Sequence, residues 1–319
     1  MNAKECAQLL RQEIAKIYIG KSQQIELILM SVFSGGHVLL DDLPGIGKTT
    51  LIKTLTKALG CEMSRIQFTP DLLPSDIIGM TIFDKKNSSF VQVKGPVFTN
   101  ILLADEINRA IPRTQAALLE AMEEHQVTID NESFALPEPF FVMATQNPVE
   151  RESTFALPAA QMDRFFIRLS LGFPDKDEEI QMLTELGDHI NYDVINNVAD
   201  PQILLAIRKE IAAVHVSDHI KQYIVELVHN TRNHPDLKFG ASPRASRCLY
   251  QGSKSLAAMN GRDYVNPEDI QAIFIPVLNH RISITNEARF TKKSESDILA
   301  DILSETQVPP YKEDLFNEK

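Results

Sequence analysis

The sequence predicts an α/β core built on a parallel sheet flanked by helices, followed by a smaller all-α domain, and three observations predict it. The apolar run Val38-Leu39-Leu40 leads into Asp42-Leu43-Pro44-Gly45-Ile46-Gly47-Lys48-Thr49, a strand entering a glycine-bearing turn that opens a helix. A second apolar run, Ile101-Leu102-Leu103-Ala104, has no interior turn residue and ends in the adjacent acids Asp105 and Glu106, as a central parallel strand would. After Gly172-Phe173-Pro174-Asp175 the strand-like runs cease and helical patterns follow one another. A chain of 319 residues exceeds one usual core, so a division into residues 1–174 and 175–319 is expected.

From the start, Cys6, Leu9, Leu10, Ile14 and Ile17 have helical spacing, and Tyr18-Ile19-Gly20 breaks it before a second helix over 22–34. The helix after the glycine turn runs from Thr49 towards Ala58. Arg65-Ile66-Gln67-Phe68 reads as a short strand and 69–76 as turn. Extended runs at 81–83 and 90–93 flank a polar turn, as do 126–129 and 133–136, so two hairpins are expected; neither names a partner. The helix over 112–124 sets Ala116, Leu119, Ala121 and Met122 on an apolar stripe. Residues 140–145 read as another buried strand, delivering Gln146-Asn147-Pro148, and 162–169 as the last strand. Helices are then expected over 176–186, 201–213, 218–229, 243–259 and 267–278, most opening at Asp or Pro.

Composition is that of an ordinary globular protein, with 44% apolar and 24% charged residues. A net charge of -11 disfavours broad attachment to nucleic acid, which needs clustered Lys and Arg, although a local basic channel stays open. Cys6, Cys61 and Cys248 are far apart and odd in number, indicating neither a disulfide frame nor a zinc site and fitting a reducing cytoplasm. The first residues are charged and polar and no apolar run approaches membrane-spanning length, so a soluble, cytoplasmic protein is expected.

The glycine turn has the chemistry of a phosphate cradle. Gly45 and Gly47 let successive N–H groups point inward, Lys48 can reach β- and γ-phosphates, and the Thr49 hydroxyl is placed to ligate Mg²⁺ at the positive end of a helix. The pattern G-x-x-x-x-G-K-[ST] has Gly first, whereas this chain has Asp42, a position expected mainly to shape the turn. Asp105 would hold Mg²⁺ with Thr49, and Glu106, on the opposite strand face, would polarise the attacking water; the same pair could instead cap the next helix. Asn147 could hydrogen-bond that water or the γ-phosphate, or simply form a turn with Pro148. Arg164 could stabilise phosphoryl-transfer charge across a subunit boundary, or be a salt-bridged surface residue. In Gly240-Ala241-Ser242-Pro243-Arg244-Ala245, Ser242 can cap a helix whose first turn holds Arg244 against its dipole, which suits a functional cation or an ordinary surface arginine.

Together these segments resemble the AAA+ ATPases, specifically the MoxR family. The carriers include Gly36-His37-Val38-Leu39-Leu40, the Leu43-to-Thr49 loop, Phe68-Thr69-Pro70-Asp71-Leu72-Leu73-Pro74-Ser75-Asp76, Gly95-Pro96-Val97-Phe98, Leu102-Leu103-Ala104-Asp105-Glu106-Ile107-Asn108-Arg109-Ala110, Ala144-Thr145-Gln146-Asn147-Pro148 and Leu157-Pro158-Ala159-Ala160-Gln161-Met162-Asp163-Arg164-Phe165. The resemblance implies an ATP site formed by Ile19, Gly20, Pro44, Gly45, Ile46, Gly47, Lys48, Thr49 and Thr50, with Thr49 and Asp105 on Mg²⁺. It implies Glu106 as the Walker B glutamate, Asn147 as sensor 1, Arg164 as arginine finger and Arg244 as sensor 2. It also implies a hexameric ring, ATP hydrolysis between subunits, and chaperone-like remodelling of a client protein, with metal cofactor insertion as one outcome. A partner carrying a von Willebrand A domain is implied too; since the chain ends in a polar, acidic tail over 311–319, that partner would be a separate protein. A metal-chelatase ATPase subunit and a nucleotide-dependent switch with little turnover are the alternatives. The hairpin at 81–93 is similar to the family's helix 2 insertion, and that at 126–136 to the one before sensor 1.

Overall fold

The structure, a computed structural model, describes residues 1–147, 155–187 and 189–309; Pro148 and the 311–319 tail lie outside the described residues. The chain forms two compact units, Met1–Ala212 and Ala213–Lys319. That division falls after the change of pattern at Pro174, because the intervening residues pack on the first unit. The Val198 and Ala199 N–H groups donate to the Ala58 carbonyl at 2.9 and 3.3 Å, and the Asn196 N–H to Glu13 Oε2 at 2.8 Å.

The first unit opens with α1 (Ala3–Ala15), started by a capping box in which Asn2 Oδ1 accepts the Glu5 N–H and Glu5 Oε2 accepts that of Asn2. Cys6, Leu10 and Ile14 form its buried stripe, whereas Leu9 is exposed. Next come α2 (Ser22–Ser34), β1 (Val38–Asp41), α3 (Lys48–Leu59), β2 (Met63–Gln67) and α4 (Pro74–Ile78). The last is a helical turn within the turn-rich segment, opened by Pro74 and closed back by Asp76, whose carboxylate accepts the Leu73 N–H at 2.9 Å. A hairpin of β3 (Gly79–Asp84) and β4 (Ser89–Lys94) precedes β5 (Ile101–Asp105) and α5 (Pro112–Glu124). A second hairpin, β6 (Gln126–Ile129) and β7 (Glu132–Ala135), leads to β8 (Phe141–Gln146), α6 (Ala159–Met162), β9 (Ile167–Leu169), α7 (Lys176–Leu186) and α8 (Pro201–Ala213).

Five strands pair in parallel in the order β2-β5-β8-β1-β9. All their C-terminal ends therefore meet at one edge, with Asp41 in register with Gln146 and Gln67 with Asp105. β1 has β8 on one side and β9 on the other, so the chain leaves it where the strand order reverses, the place where open α/β sheets bind ligands. A core including Leu39, Phe68, Leu102, Leu118, Leu119, Val142 and Phe165 excludes water from this frame.

Two expectations need correction here. Ala116 is exposed and the buried face of α5 uses Leu118 with Leu119, Ala121 and Met122, because Thr114 and Gln115 turn inward too. The last strand is only Ile167–Leu169: the Gln161, Met162 and Asp163 N–H groups donate to Pro158 and Ala159 carbonyls, coiling the chain until the Phe166 N–H reaches the His37 carbonyl at 2.8 Å. The hairpins differ as well. The second buries Val127 and Ile129, while the first exposes Met80, Ile82, Phe83, Phe90, Val91 and Val93 across both faces.

The second unit holds α9 (Asp218–Asn233), β10 (Leu237–Phe239), α10 (Pro243–Met259), α11 (Pro267–Leu278), β11 (Ser283–Ile284), α12 (Asn286–Phe290) and α13 (Glu295–Glu305). It is helical but not all-α, since β10 and β11 pair antiparallel. Among the described residues, no helix is long and apolar enough to cross a membrane.

Candidate active site

The loop after β1 turns through Gly45 and Gly47, whose φ values of +89° and +84° belong to the region where only glycine is unstrained. Gly47 caps the start of α3, so Lys48, Thr49 and Thr50 form its first turn and its free N–H groups face the loop. Lys48 Nζ donates to the Asp42 main-chain carbonyl at 2.8 Å. Burial pulls the Lys48 amine below its ordinary range, opposed by the charges of Asp42, Asp105, Glu106 and Asp41. Three of these four carboxylates also have an arginine partner, Arg65 on Asp105, Arg109 on Glu106 and Arg168 on Asp41. The Thr49 hydroxyl and Asp105 carboxylate are hard oxygen donors of the kind that hold Mg²⁺, so the residues present fit that ion.

Asp105 and Glu106 are held as a unit by Thr145. Its hydroxyl donates to Asp105 Oδ1 at 2.6 Å and accepts the Glu106 N–H at 2.8 Å. Arg65 Nη2 donates to the other Asp105 oxygen at 2.8 Å. Glu106 Oε2 accepts from Gln67 Nε2 at 2.7 Å and Arg109 Nη1 at 2.9 Å. Strand alternation alone predicts the two acids on opposite faces of one strand. Instead β5 ends at Asp105, and Glu106 leaves it in the left-handed conformation, φ 56°, so a backbone turn separates their side chains rather than the pleat. Asn147 follows β8 directly and is buried, its carbonyl accepting from Asn108 Nδ2 at 3.5 Å.

Beside the loop lies a cavity of about 510 Å³. Ile19, Gly45, Ile46, Gly47 and Thr50 line it, and so do Tyr18, Phe173, Met182 and Leu183. Gly20 turns the chain behind this wall, so close to Glu178 that an added Cβ would stand 2.0 Å from Oε1. Pro44 is exposed at the loop's tip. Burial, with the charges of Asp42 and Glu178, pushes the Tyr18 hydroxyl up to about 12, so it is a neutral hydrogen-bonding group here.

The structure thus brings Lys48, Thr49, Asp105, Glu106 and Asn147 to one sheet edge. It does not bring Arg164 there. Arg164 precedes β9 and pairs with Glu123 at 2.9 Å near the end of α5, at the opposite end of the parallel strands. Arg244 belongs to the second unit, in the first turn of α10, where Ser242 Oγ accepts its N–H at 3.2 Å. Sequence inspection missed Arg65, Gln67, Tyr18 and the Thr145 clamp. Gln67 and Thr145 had a usable signal, each standing at or beside the end of a strand that neighbours Asp105.

A phosphate loop at the switch point of this sheet, with an acid pair at the next strand but one, defines a P-loop ATPase. The model of the ATPase family associated with various cellular activities (AAA) matches residues 37–167, and that of the AAA lid domain matches 229–302. Similar proteins include an uncharacterized protein of Bacillus subtilis, YeaC, 43% identical over 93% of each chain. Chaperone MoxR1 of Mycobacterium tuberculosis is 39% identical over 93% of this chain and 81% of its own. A crystal structure of a protein from Cytophaga hutchinsonii, provisionally named an ATPase, superposes with a TM-score of 0.90 at 39% identity, covering 97% of this chain and 96% of that one. The chain belongs to the MoxR family of AAA+ ATPases.

Proposed function

We propose that this ATPase turns over Mg·ATP at sites shared between subunits of a hexameric ring and uses the cycle to remodel partner proteins. Lys48 and the loop amides bind the phosphates, Thr49 and Asp105 hold Mg²⁺, Glu106 orients the attacking water and Asn147 senses the γ-phosphate. Arg164 of one subunit completes its neighbour's site, and Arg244 carries the nucleotide state into the second unit. What carries the proposal is the contrast in position: five candidates share one sheet edge, while Arg164 stands at the other end, where its own subunit's phosphates do not lie. The family likeness, including a relative named a chaperone, supports a protein client and a cytoplasmic motor; a separate von Willebrand A domain protein fits as partner. The core would end near Pro174, with the helical lid beyond.

The test is ATP turnover per subunit against protein concentration, for wild type and Arg164→Ala. Wild-type specific activity should rise as subunits associate, while Arg164→Ala stays at least about a hundredfold lower yet binds nucleotide. Specific activity independent of concentration, or unaffected by the substitution, rules out the shared site.

A further inference from the structure

Asp42 stands where the sequence departs from the phosphate-loop pattern, and every polar group it has is engaged. Its N–H donates to the Gln146 carbonyl at 3.2 Å, one residue before Asn147. Its carbonyl receives Lys48 Nζ at 2.8 Å. Its carboxylate, on a residue only 4% exposed, accepts Ser170 Oγ at 2.6 Å, the Leu171 N–H at 2.9 Å and the Gly172 N–H at 3.1 Å. A carboxylate this buried persists only when hydrogen bonds replace its water, and bonds to a charged acceptor are the stronger kind.

The segment it grips is a wall of the cavity: Gly172, Phe173 and Pro174 line it, and the chain continues into α7, which adds Met182 and Leu183. The far end of the segment is tied by Lys21 Nζ, which donates to the Phe173 carbonyl at 2.8 Å. Glycine at position 42 would keep both main-chain bonds and lose all three to the wall. We propose that Asp42 is a positioning residue for the base side of the nucleotide site: it fastens the Gly172–Pro174 wall to the residue whose carbonyl holds Lys48. This rests on the cavity being the nucleotide site.

The experiment compares the binding of ADP and of inorganic tripolyphosphate to the full chain by calorimetry, for wild type, Lys48→Ala, Asp42→Gly and Asp42→Asn. Asp42→Gly should weaken ADP about tenfold, the size of one charged hydrogen bond, and tripolyphosphate by less than about twofold. Hydrogen exchange at the Leu171 and Gly172 amides should accelerate with it. Equal weakening of both ligands, or of neither, overturns the proposal. Asp42→Asn keeps the shape and one acceptor oxygen, and carries the test if the glycine variant does not fold. It should show the same split at smaller amplitude, and an unsplit or absent loss overturns the proposal there too. ADP binding that survives Lys48→Ala overturns the nucleotide site and this proposal together, whereas binding lost in Lys48→Ala with an unsplit Asp42 effect overturns this one alone.

Discussion

At the start of the strands, His37 is buried with both ring nitrogens committed: Nε2 donates to the Met122 carbonyl at 3.1 Å and Nδ1 accepts the Val142 N–H at 3.0 Å. At their far ends, Lys48 rests on a carbonyl, Arg65 on Asp105, and Gln67 with Arg109 on Glu106, all on side chains that water can reach in part. At the start of these strands a buried ring is thus fixed by two bonds, while at their far ends Lys48, Asp105 and Glu106 are held in pairs that a ligand can exchange. Buried pairs define a unique frame, because breaking one strands a desolvated group. Half-exposed pairs can be traded for a ligand at little cost.

The comparison is sharpest at Lys48. Lys48→Ala should lower ATP affinity on the order of a thousandfold, since it removes the cation facing the phosphates, while leaving thermal unfolding nearly unchanged. Binding calorimetry beside a melting curve decides it, and a large loss of stability would mean that this end is scaffold too. His37 gives the opposite signature. Burial lowers its pKa from 6.5 to about 4, so the neutral ring belongs to the fold. Stability from this group is complete above pH 6.5 and is lost as pH falls towards 4, about 3 kcal/mol in all and roughly 2 of it by pH 5. Urea unfolding between pH 7 and 5 should show that slope in wild type and not in His37→Gln. A smaller effect is expected at Thr145, whose hydroxyl clamps Asp105 and the Glu106 N–H together. Thr145→Val keeps its shape and should cut turnover about tenfold with nucleotide affinity little altered, because it frees Glu106 more than the phosphate loop. Affinity falling in step with turnover would place Thr145 in binding instead.

Much of the frame was legible because its signals are local. Val38 to Thr49 announces a strand, a glycine turn and a helix within twelve residues, and α7, α10 and α11 begin and end at caps or breakers adjacent in sequence. What stayed hidden depends on residues brought together by the fold. Asp42 looked like an altered turn because its partners, Ser170 to Gly172, lie 128 to 130 positions away. Thr145 is an ordinary strand residue until β8 is known to lie beside β5. Apolar character alone puts Ala116 on the stripe of α5 and not Leu118, because it does not give the phase of a helix whose buried face also includes Thr114 and Gln115. The short β10–β11 pair escaped because two- and three-residue strands have too few positions to show a period.

Glu106 occupies its left-handed backbone without being glycine, asparagine or aspartate, the residues that visit that region most easily. Local preference and chemical need pull position 106 in different directions. Shorter side chains would sit there with less strain, yet they would not extend a carboxylate to Gln67 and Arg109. The residue is therefore selected against its own conformational tendency, and such a conflict is itself a mark by which a working position can be told from a merely well-packed one.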